Sequence, residues 1–297
     1  MGIRRFALRL MGLGHIEEMI STSHPNGHFY SPVVDPGELS GEYDRLWPEE
    51  TPKAAGVDFN DRSHQQILRE FFPKYFADFD FPANGTDDEH AEKYFVNNSQ
   101  FSWLDARALF VLMREWRPKR IIEVGAGYST LLMAEVNSRF LDGSVDITAI
   151  EPFPRPFLKK LTGVRLVHRK IQEVSLDLFD SLNIGDILFI DSSHISKTGS
   201  DVNFLYLAVL PRLKPGVRIH IHDIYLPCEY PVEWVITENR SWNEQYLVHA
   251  LLMFSSRFRV LFGSYNAYVN HKQLLGATLG RPESSLYGGG SFWIEVI

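Results

Sequence analysis

Four polar residues suited to proton transfer or metal binding follow two apolar stretches in the second half of the chain. An imidazole titrates near neutral pH, so a histidine can act as a general base. Carboxylates combined with imidazole also suit a divalent cation. Polar side chains at the ends of two buried strands are costly unless they are paired or functional, and the pattern therefore predicts a catalytic centre. The four residues are Asp191 and His194, after the stretch ending at Ile190, and His222 and Asp223, after the stretch ending at Ile221.

Two chemical roles are open for this group. In the first, Asp191, His222 and Asp223 bind a divalent cation (Mg, Mn, Zn or Fe), which lowers the pKa of a bound substrate hydroxyl. His194 then removes the proton, and the catalytic residues are His194, Asp191 and His222. In the second, the same residues form a hydrogen-bonded network without an ion. His220, deeper in the same strand, is interpreted as a core histidine.

A glycine-containing turn upstream predicts a cofactor site. Apolar residues lead to Glu123, the turn Gly125-Ala126-Gly127 follows, and Leu131–Val136 then favours a helix. A strand, a tight turn and a helix N-terminus in this order let a ligand approach bare backbone N–H groups. The predicted cofactor contacts are Glu123, Gly125, Ala126, Gly127, Tyr128, Ser129, Thr130 and, from the next strand end along the sheet, Asp191.

The residues around the turn favour S-adenosylmethionine over a dinucleotide. The dinucleotide fingerprint needs a third glycine, where this chain has Thr130. The carboxylate of Glu123 suits a cationic ligand and would repel a pyrophosphate. Glu151, at the end of the following strand, can accept hydrogen bonds from ribose hydroxyls, which either cofactor would offer. Gln172 is a weaker candidate for a contact with adenine.

Strands and helices alternate from Arg120 onward, which predicts a parallel sheet with helices on both faces. Ligands of such folds bind outside the carboxyl ends of the strands. A closing hairpin-like pair, Phe258–Phe262 and Ser291–Ile297, completes an α/β, doubly wound, mostly parallel seven-stranded sheet of Rossmann-like type. The other predicted strands are Arg120–Val124, Asp146–Ile150, Val164–His168, Asp186–Ile190 and Val217–Ile221. The predicted helices are Ser63–Phe76, Ser102–Glu115, Ser129–Phe140, Pro156–Leu161, Val202–Leu210 and Ser241–Phe254.

The N-terminal third lacks this alternation. Residues 1–117 are predicted to be an extension of helices and irregular segments on the acceptor side, and residues 118–297 the cofactor-binding domain. A helix over residues 3–20 would place Ile3, Phe6, Leu10 and Leu13 on one face. Docking of that helix on the domain or on a second subunit, as in a homodimer, is favoured over a membrane surface.

Composition excludes several classes of protein. A formal net charge of −7 argues against a nucleic-acid partner, because such binding depends on clustered Lys and Arg. The single cysteine, Cys228, cannot form an intrachain disulfide, which is typical of a reducing compartment. No apolar run approaches the roughly 18 residues of a membrane span. A cytoplasmic protein is therefore expected.

These motifs resemble those of the class I S-adenosylmethionine-dependent methyltransferases over about residues 118–297. The resemblance is carried by Glu123-Val-Gly-Ala-Gly-Tyr-Ser-Thr130, Glu151, Asp186–Asp191 and Leu213-Lys-Pro-Gly216. The stretch Asp191-Ser-Ser-His194 is similar to one in the macrocin-type, metal-dependent sugar O-methyltransferases. That resemblance implies a metal-binding role for Asp191 and a base at His194. This chain departs from that family at His222, where the family has a carboxylate. Of the family's two consecutive acids, only Asp223 is present.

The resemblance implies an acceptor site built from the N-terminal elements and the loop after the fifth strand. The candidates there are Tyr128, Glu229, Tyr230, Trp234, Trp242 and Asn243. For the aromatic ones, ordinary packing is the alternative. The predicted function is O-methylation of a small polar acceptor, either a sugar or a secondary metabolite. The alternatives are an N-methyltransferase without metal, a NAD-dependent oxidoreductase and a non-catalytic cofactor-binding subunit.

Overall fold

The computed structural model describes residues 24, 26–85 and 93–297. The predicted helix over residues 3–20 lies outside this part of the chain. The described residues form two compact units. The first contains the residues up to Glu50 together with Glu229–Ser241, and the second contains Thr51–Cys228 and Trp242–Ile297.

The first unit is small and contains three short helical segments. Helix α1 is Pro36–Ser40, helix α2 is Tyr43–Leu46, and a π-helical turn spans Glu233–Thr237. The side chain of Asp35 caps α1 by accepting the N–H of Gly37 at 2.8 Å. The indole N–H of Trp47 donates to the carbonyl of Tyr230 at 2.8 Å, which joins the two stretches of chain within the unit.

The second unit contains a seven-stranded sheet in the order β3-β2-β1-β4-β5-β7-β6. The first five strands pair in parallel, whereas β7 runs antiparallel to both β5 and β6. This arrangement confirms the predicted fold class. The strands are β1 Arg120–Val124, β2 Asp146–Ile150, β3 Val164–Val167, β4 Ile187–Ile190, β5 Arg218–Ile221, β6 Phe258–Gly263 and β7 Phe292–Val296.

The central strands are apolar because both of their faces are covered, as is usual for parallel sheets. Successive side chains alternate between faces. Ile121 and Phe189 pack into one hydrophobic core, whereas Ile122 and Leu188 pack into the other. The first core also takes in helix residues upstream of the sheet, among them Leu104. The sequence boundary expected at residue 118 therefore falls inside this compact unit.

Helices cover the sheet. They are α3 Asp61–Gln66, α4 Phe72–Tyr75, α5 Trp103–Trp116, α6 Tyr128–Phe140, α7 Asp177–Asp180, α8 Asp201–Phe204, α9 Glu244–Phe254, α10 Ser264–Asn270 and α11 Lys272–Leu279. Short 3₁₀ turns lie at Phe76–Asp78, Leu158–Lys160, Ile171–Glu173, Leu210–Arg212 and Glu283–Ser285. No helix in the described ranges is long and apolar enough to span a membrane.

Two predicted helices are interrupted by π-helical turns, and prolines explain both. The helix predicted over Ser63–Phe76 contains the turn Ile67–Phe71, and the one predicted over Val202–Leu210 contains Leu205–Val209. Each turn ends two residues before a proline, Pro73 or Pro211. A proline cannot donate to the carbonyl four residues back and its ring crowds that carbonyl, so the helix widens locally.

Two further expectations need correction. The predicted helix Pro156–Leu161 is only the 3₁₀ turn Leu158–Lys160. The strands β6 and β7 do pair antiparallel, but they are not a hairpin, because α10 and α11 lie between them. Pairing across such a long connection is set by packing on the sheet rather than by a turn.

Candidate functional site

The register of the sheet brings four predicted site residues to one edge. Val124 of β1 pairs with Ile150 of β2 and with Ile190 of β4, and Ile190 pairs with Ile221 of β5. The residues that follow these four strand ends therefore emerge side by side. They are Gly125, Glu151, Asp191 and His222. Strands β2 and β3 lie on one side of β1, and β4 and β5 lie on the other, so the strand order reverses next to β1. Open α/β sheets bind their ligands outside the carboxyl ends of the strands at such a reversal.

Gly125 is required at the start of the turn. Its φ angle is +82°, in the left-handed region that favours glycine. A Cβ atom at this position would lie 1.7 Å from the carbonyl oxygen of Asp191, which no rearrangement of a side chain could relieve. The close approach of the two strand ends thus depends on the absence of a side chain at Gly125.

Glu123 holds the turn from beneath. Its side chain is fully buried and accepts hydrogen bonds from the hydroxyls of Ser129 and Thr130, each at 2.6 Å. The Thr130 hydroxyl in turn accepts the N–H of Gly127 at 3.0 Å. Burial raises the pKa of Glu123 to about 8, against the opposing effect of its hydroxyl partners. These contacts make Glu123 a clamp between β1 and α6 and give no support to direct contact with a cationic ligand.

A cleft of about 530 Å³ opens beside the turn. Of the predicted cofactor contacts, Gly125, Glu151, Gln172 and Asp191 line it. Its size lies within the range of small-molecule sites. The remaining predicted contacts do not line the cleft: Glu123, Ala126, Gly127, Tyr128, Ser129 and Thr130.

Glu151 is held in place by two backbone N–H groups, one from the glycine turn and one from the residues after β2. One carboxylate oxygen accepts the N–H of Ala126 at 3.2 Å, and the other accepts the N–H of Phe153 at 2.7 Å. A carboxylate has further lone pairs, so Glu151 can still accept hydroxyl groups of a ligand. Gln172 is exposed, and its amide donates to the carbonyl of Gly199 at 2.8 Å.

The predicted catalytic residues meet next to this cleft. The Nε2 atom of His194 lies 3.4 Å from a carboxylate oxygen of Asp191 and 3.4 Å from one of Asp223. The Nδ1 atom of His222 lies 3.4 Å from Asp191 and 3.6 Å from Asp223. His194 and Asp223 adopt positive φ angles of 59° and 56°. Such backbone conformations are uncommon outside glycine and concentrate at functional sites.

Sequence reasoning missed two further acids in this cluster. Glu244, at the start of α9, is fully buried with Oε2 3.0 Å from Nδ1 of His194. Asp105, in α5, lies 3.4 Å from Nε2 of His222 and accepts the N–H groups of Gly290 and Ser291, each at 2.9 Å. One signal was available for Asp105, because it is an acid within the mostly apolar stretch Trp103–Met113. An acid in the first turn of a helix, such as Glu244, is too common to stand out.

The carboxyl groups favour protonation of both histidines. Burial opposes the charge on His194, but hydrogen bonds to Asp191 and Glu244 and the charge of Asp223 outweigh it and raise the pKa of His194 to about 10. Burial likewise opposes the charge on His222, and the charges of Asp223 and Asp191 hold its pKa well above the usual value. Burial raises the pKa of Asp223, despite the nearby imidazoles. The cluster thus places two imidazoles among four carboxyl groups.

Within the described ranges, Asp191, His194 and Asp223 form a group whose ligand atoms lie within 4.8 Å of one another. The metal-binding residues predicted from the sequence were Asp191, His222 and Asp223. The structure groups the same two acids with His194 instead of His222. His220, by contrast, is a core residue: it is fully buried, stacks on Phe189 with ring centroids 3.7 Å apart, and its Nε2 lies 2.9 Å from the Ser291 hydroxyl.

Two of the six candidate acceptor residues, Trp242 and Asn243, lie next to His194. The ring of Trp242 lies 4.5 Å from the ring of His194, and the Asn243 side chain accepts the N–H of Ser196 at 2.6 Å. The backbone N–H of Asn243 donates to the carbonyl of His194 at 3.1 Å, so Asn243 fixes the loop that contains His194. Tyr128 is 1% exposed and packs edge-to-face on Phe95, which favours the packing interpretation. The other three candidates belong to the first unit: Glu229, Tyr230 and Trp234.

Part of the chain matches a known domain family and one curated protein. Residues 122–224 match a family model described as a methyltransferase domain. An uncharacterised protein of Archaeoglobus fulgidus is 31% identical over 174 residues, which cover 56% of this chain and 77% of that protein.

Solved structures share the fold only distantly. An O-methyltransferase of Bacillus cereus in complex with S-adenosylhomocysteine is 13% identical with a TM-score of 0.39, over 88% of this chain and 97% of that one. A putative O-methyltransferase of Klebsiella pneumoniae is 15% identical with a TM-score of 0.36, over 88% and 96%. At these values the likenesses carry no inference about substrate.

The seven-stranded sheet, the glycine turn at the end of β1 and the matched domain define an S-adenosylmethionine-dependent methyltransferase. The chain belongs to the same family as the Archaeoglobus fulgidus protein, whose length it largely covers.

Proposed function

We propose that this methyltransferase moves the methyl group of S-adenosylmethionine to a hydroxyl oxygen of a small polar acceptor. The S–CH₃ bond breaks, an O–CH₃ bond forms, and the hydroxyl proton must be removed. The observation that carries the proposal is the position of Asp191, which lines the cleft and also lies 3.4 Å from Nε2 of His194. A titratable cluster therefore adjoins the cleft in which the methyl donor is proposed to bind.

In the proposed donor site, each cleft residue acts through its own groups. The Gly125 turn brings the ligand close to the backbone, and Glu151 accepts the ribose hydroxyls with lone pairs that the N–H groups of Ala126 and Phe153 leave free. Gln172 and the exposed ring of Phe153 line the same cleft and are placed to contact the adenine.

His194 is the proposed general base. Glu244 orients the ring by accepting the Nδ1–H. Because the surrounding carboxyl groups raise the pKa of His194 to about 10, only the minor neutral form of the ring receives the acceptor proton at Nε2, and turnover should increase with pH toward that value. Asp191 and Asp223 then stabilise the imidazolium that forms, since both carboxylates lie 3.4 Å from Nε2. Trp242, beside the ring of His194, is the proposed wall of the acceptor site.

The same residues also offer donors for a divalent cation. Two carboxylates and an imidazole suit Mg, Mn, Zn or Fe, and Asp191, His194 and Asp223 would hold the ion. Bound there, the ion would lower the pKa of the acceptor hydroxyl. A histidine that ligates an ion cannot also accept a proton, so the two roles of His194 exclude each other and a single assay can separate them.

The test is methyl transfer from labelled S-adenosylmethionine to matched sugars, phenols and amines, with EDTA or with added Mn²⁺. The proposal expects release of S-adenosylhomocysteine with hydroxyl acceptors and a loss of about 10²-fold or more in His194→Gln. Activity that survives EDTA supports the base role of His194, whereas activity that needs Mn²⁺ supports the ligand role. Transfer to amines alone would contradict O-methylation. The sugar class itself is supported by the resemblance to the macrocin-type enzymes.

A further inference from the structure

Asp105 joins two distant parts of the larger unit beside the proposed catalytic cluster. It lies in the first turn of α5 and is 7% exposed. An acid at this place usually interacts with the N-terminal end of its own helix. Both oxygens of Asp105 instead bond to another segment: Oδ2 accepts the N–H of Gly290 and Oδ1 accepts the N–H of Ser291, each at 2.9 Å. These two residues lead into β7, so the carboxylate ties α5 to the last strand.

The same carboxylate faces His222. Its Oδ2 atom lies 3.4 Å from Nε2 of the imidazole, and this buried nitrogen has no hydrogen-bond partner among the described residues. The other ring nitrogen, Nδ1, lies 3.4 Å from a carboxylate oxygen of Asp191. Carboxylates at both edges of an imidazole favour one orientation of the ring, because each attracts an N–H. Asp105 therefore holds the edge of His222 that faces away from Asp191.

Asp105 also supports Asp223 through Gly290. The N–H of Gly290 donates to Asp105, and the carbonyl of Gly290 accepts the N–H of Ile224 at 2.9 Å. Ile224 follows Asp223, whose φ angle of +56° persists only where the surroundings enforce it. A Cβ atom at Gly290 would lie 2.8 Å from Cα of Asp223, so the two backbones are in direct contact. The fixed Gly290 thus maintains the conformation of Asp223.

Asp186 provides a matched comparison, because its bonding is the same and its place in the sheet is different. It is 4% exposed, and its two oxygens accept the N–H groups of Arg120 and Asn183, each at 2.9 Å. It precedes β4, whereas Asp191 follows that strand. Asp186 therefore lies at the opposite edge of the sheet from the cluster. Any effect that is specific to Asp105 must come from its contacts with the cluster.

We propose that Asp105 is a positioning residue for methyl transfer. It holds the ring of His222 directly and the backbone of Asp223 through Gly290, so the cluster is assembled before the substrates bind. The proposal rests on the function proposed above. Asp105 does not line the donor cleft, and it acts on the proton-accepting side of the reaction and not on the methyl donor.

The first experiment needs no acceptor. ¹H–¹³C NMR spectra of the histidine rings are recorded on the intact protein at one pH with EDTA present, and the His222 signal is assigned with His222→Gln. In Asp105→Asn the His222 signal moves or broadens, because a neutral amide attracts the ring N–H less than a carboxylate does. Asp186→Asn leaves the signal at its wild-type position. If Asp105→Asn does not fold, Asp105→Ser, which leaves room for a water, takes its place with the same expectations.

The second experiment measures binding and turnover in the same two variants. Both bind S-adenosylhomocysteine with unchanged affinity in isothermal titration. With labelled S-adenosylmethionine and a hydroxyl acceptor, Asp105→Asn lowers kcat about 10- to 100-fold, the loss typical when a residue that supports a site is replaced. The KM for S-adenosylmethionine stays the same, and Asp186→Asn keeps the wild-type kcat. Both variants lower the Tm by a few degrees, since each leaves one N–H without its acceptor.

The proposal is overturned if the His222 signal of Asp105→Asn equals that of wild type, if Asp186→Asn shifts it as much, or if both variants lose kcat equally. Loss of S-adenosylhomocysteine binding in Asp105→Asn alone also overturns it, because Asp105 would then act on the donor cleft. So does failure of both Asp105 variants to fold while Asp186→Asn folds. A wild-type protein that neither binds S-adenosylhomocysteine nor transfers a methyl group contradicts the proposed function instead, and the His222 comparison still decides whether Asp105 holds the ring.

Discussion

The Nδ1 atom of His194 lies 3.0 Å from Oε2 of Glu244, a residue 50 positions further along the chain. Both side chains are buried, and the backbone N–H of Glu244 also donates to the carbonyl of His194 at 3.2 Å. Side chain and backbone together therefore fix the imidazole, with its Nε2 edge facing Asp191 and Asp223. A histidine oriented in this way, beside the cleft at the strand ends, is the basis of the proposed chemistry.

Replacing Glu244 with glutamine is expected to lower the pKa of His194. In the native protein the carboxyl groups around the ring raise this pKa to about 10, so the imidazole stays charged until the pH rises through that value. Loss of one carboxylate moves the titration to lower pH, by roughly 1–3 units for a close charge. The measurement is a histidine-side-chain ¹⁵N NMR titration with EDTA present. Glu115→Gln, which removes the partner of Lys74 instead, serves as the control and leaves the His194 titration unchanged. An identical His194 titration in wild type and Glu244→Gln contradicts the pairing.

Gly125→Ala is expected to be far more harmful than Gly143→Ala. Both glycines have positive φ, at +82° and +66°. A Cβ at Gly143 meets nothing within 4 Å, whereas a Cβ at Gly125 would lie 1.7 Å from the Asp191 carbonyl. Gly143→Ala should cost about 1 kcal/mol of unfolding free energy, from backbone strain alone. Gly125→Ala should cost more than about 4 kcal/mol or prevent folding. Urea unfolding measures both, and equal losses would contradict the close approach of the strand ends.

Glu123→Gln tests whether Glu123 joins β1 to α6 through hydrogen bonds or contacts the ligand through its negative charge. Because burial raises the pKa of Glu123 to about 8, the folded protein binds more protons than the unfolded chain between the usual carboxyl pKa and that value. Stability is then present at low pH and lost as the pH rises to about 8, by on the order of 5 kcal/mol. Glutamine does not ionise, so the variant should be more stable than wild type at high pH. It keeps hydrogen bonds to Ser129 and Thr130, so it should still bind S-adenosylhomocysteine. Loss of that binding in a folded variant would indicate that the charge itself contacts the ligand.

His64 should make the protein sensitive to acid. Burial lowers its pKa to about 4, and its Nε2 accepts the N–H of Gly263 at 2.8 Å, which requires the neutral ring. Below the ordinary histidine pKa the unfolded chain takes up a proton that the folded protein does not. The stability contribution is therefore complete above pH 6.5 and falls as the pH drops toward 4, by about 3 kcal/mol. In His64→Gln, unfolding free energies measured between these values should fall less steeply with acid. A slope equal to that of wild type would mean that another group causes the effect.

The parts of the site that follow from local sequence were predictable. The ten residues up to Thr130 contain the order strand, glycine turn and helix N-terminus. The alternation of strands and helices predicts a parallel sheet, in which Asp191 and His222 emerge at the same edge. The placement of Asp105 and Glu244 was not predictable, because it depends on how α5 and α9 pack. Helix α10 was also missed, since Ser264-Tyr-Asn-Ala-Tyr-Val-Asn270 consists mainly of weak helix formers. Tertiary packing against β6 and α11 forms that helix.

The interpretation of Glu123 shows a second limit. An acid ahead of a glycine turn suggested contact with a cationic ligand, but two hydroxyls from the first turn of α6 occupy both of its oxygens. Residue type and spacing do not tell which side of a turn a side chain will face. The same holds for Tyr128, whose ring packs in the core.

Isothermal titration of the intact protein with S-adenosylhomocysteine and with NAD⁺ tests the central claim most directly. The account predicts that S-adenosylhomocysteine binds at one site per chain and that NAD⁺ does not bind. Glu151→Ala should weaken the affinity about tenfold or more, because the ribose hydroxyls lose a charged acceptor, while Glu115→Ala leaves it unchanged. Binding of NAD⁺ without binding of S-adenosylhomocysteine would contradict the assignment of the cleft to a methyl donor.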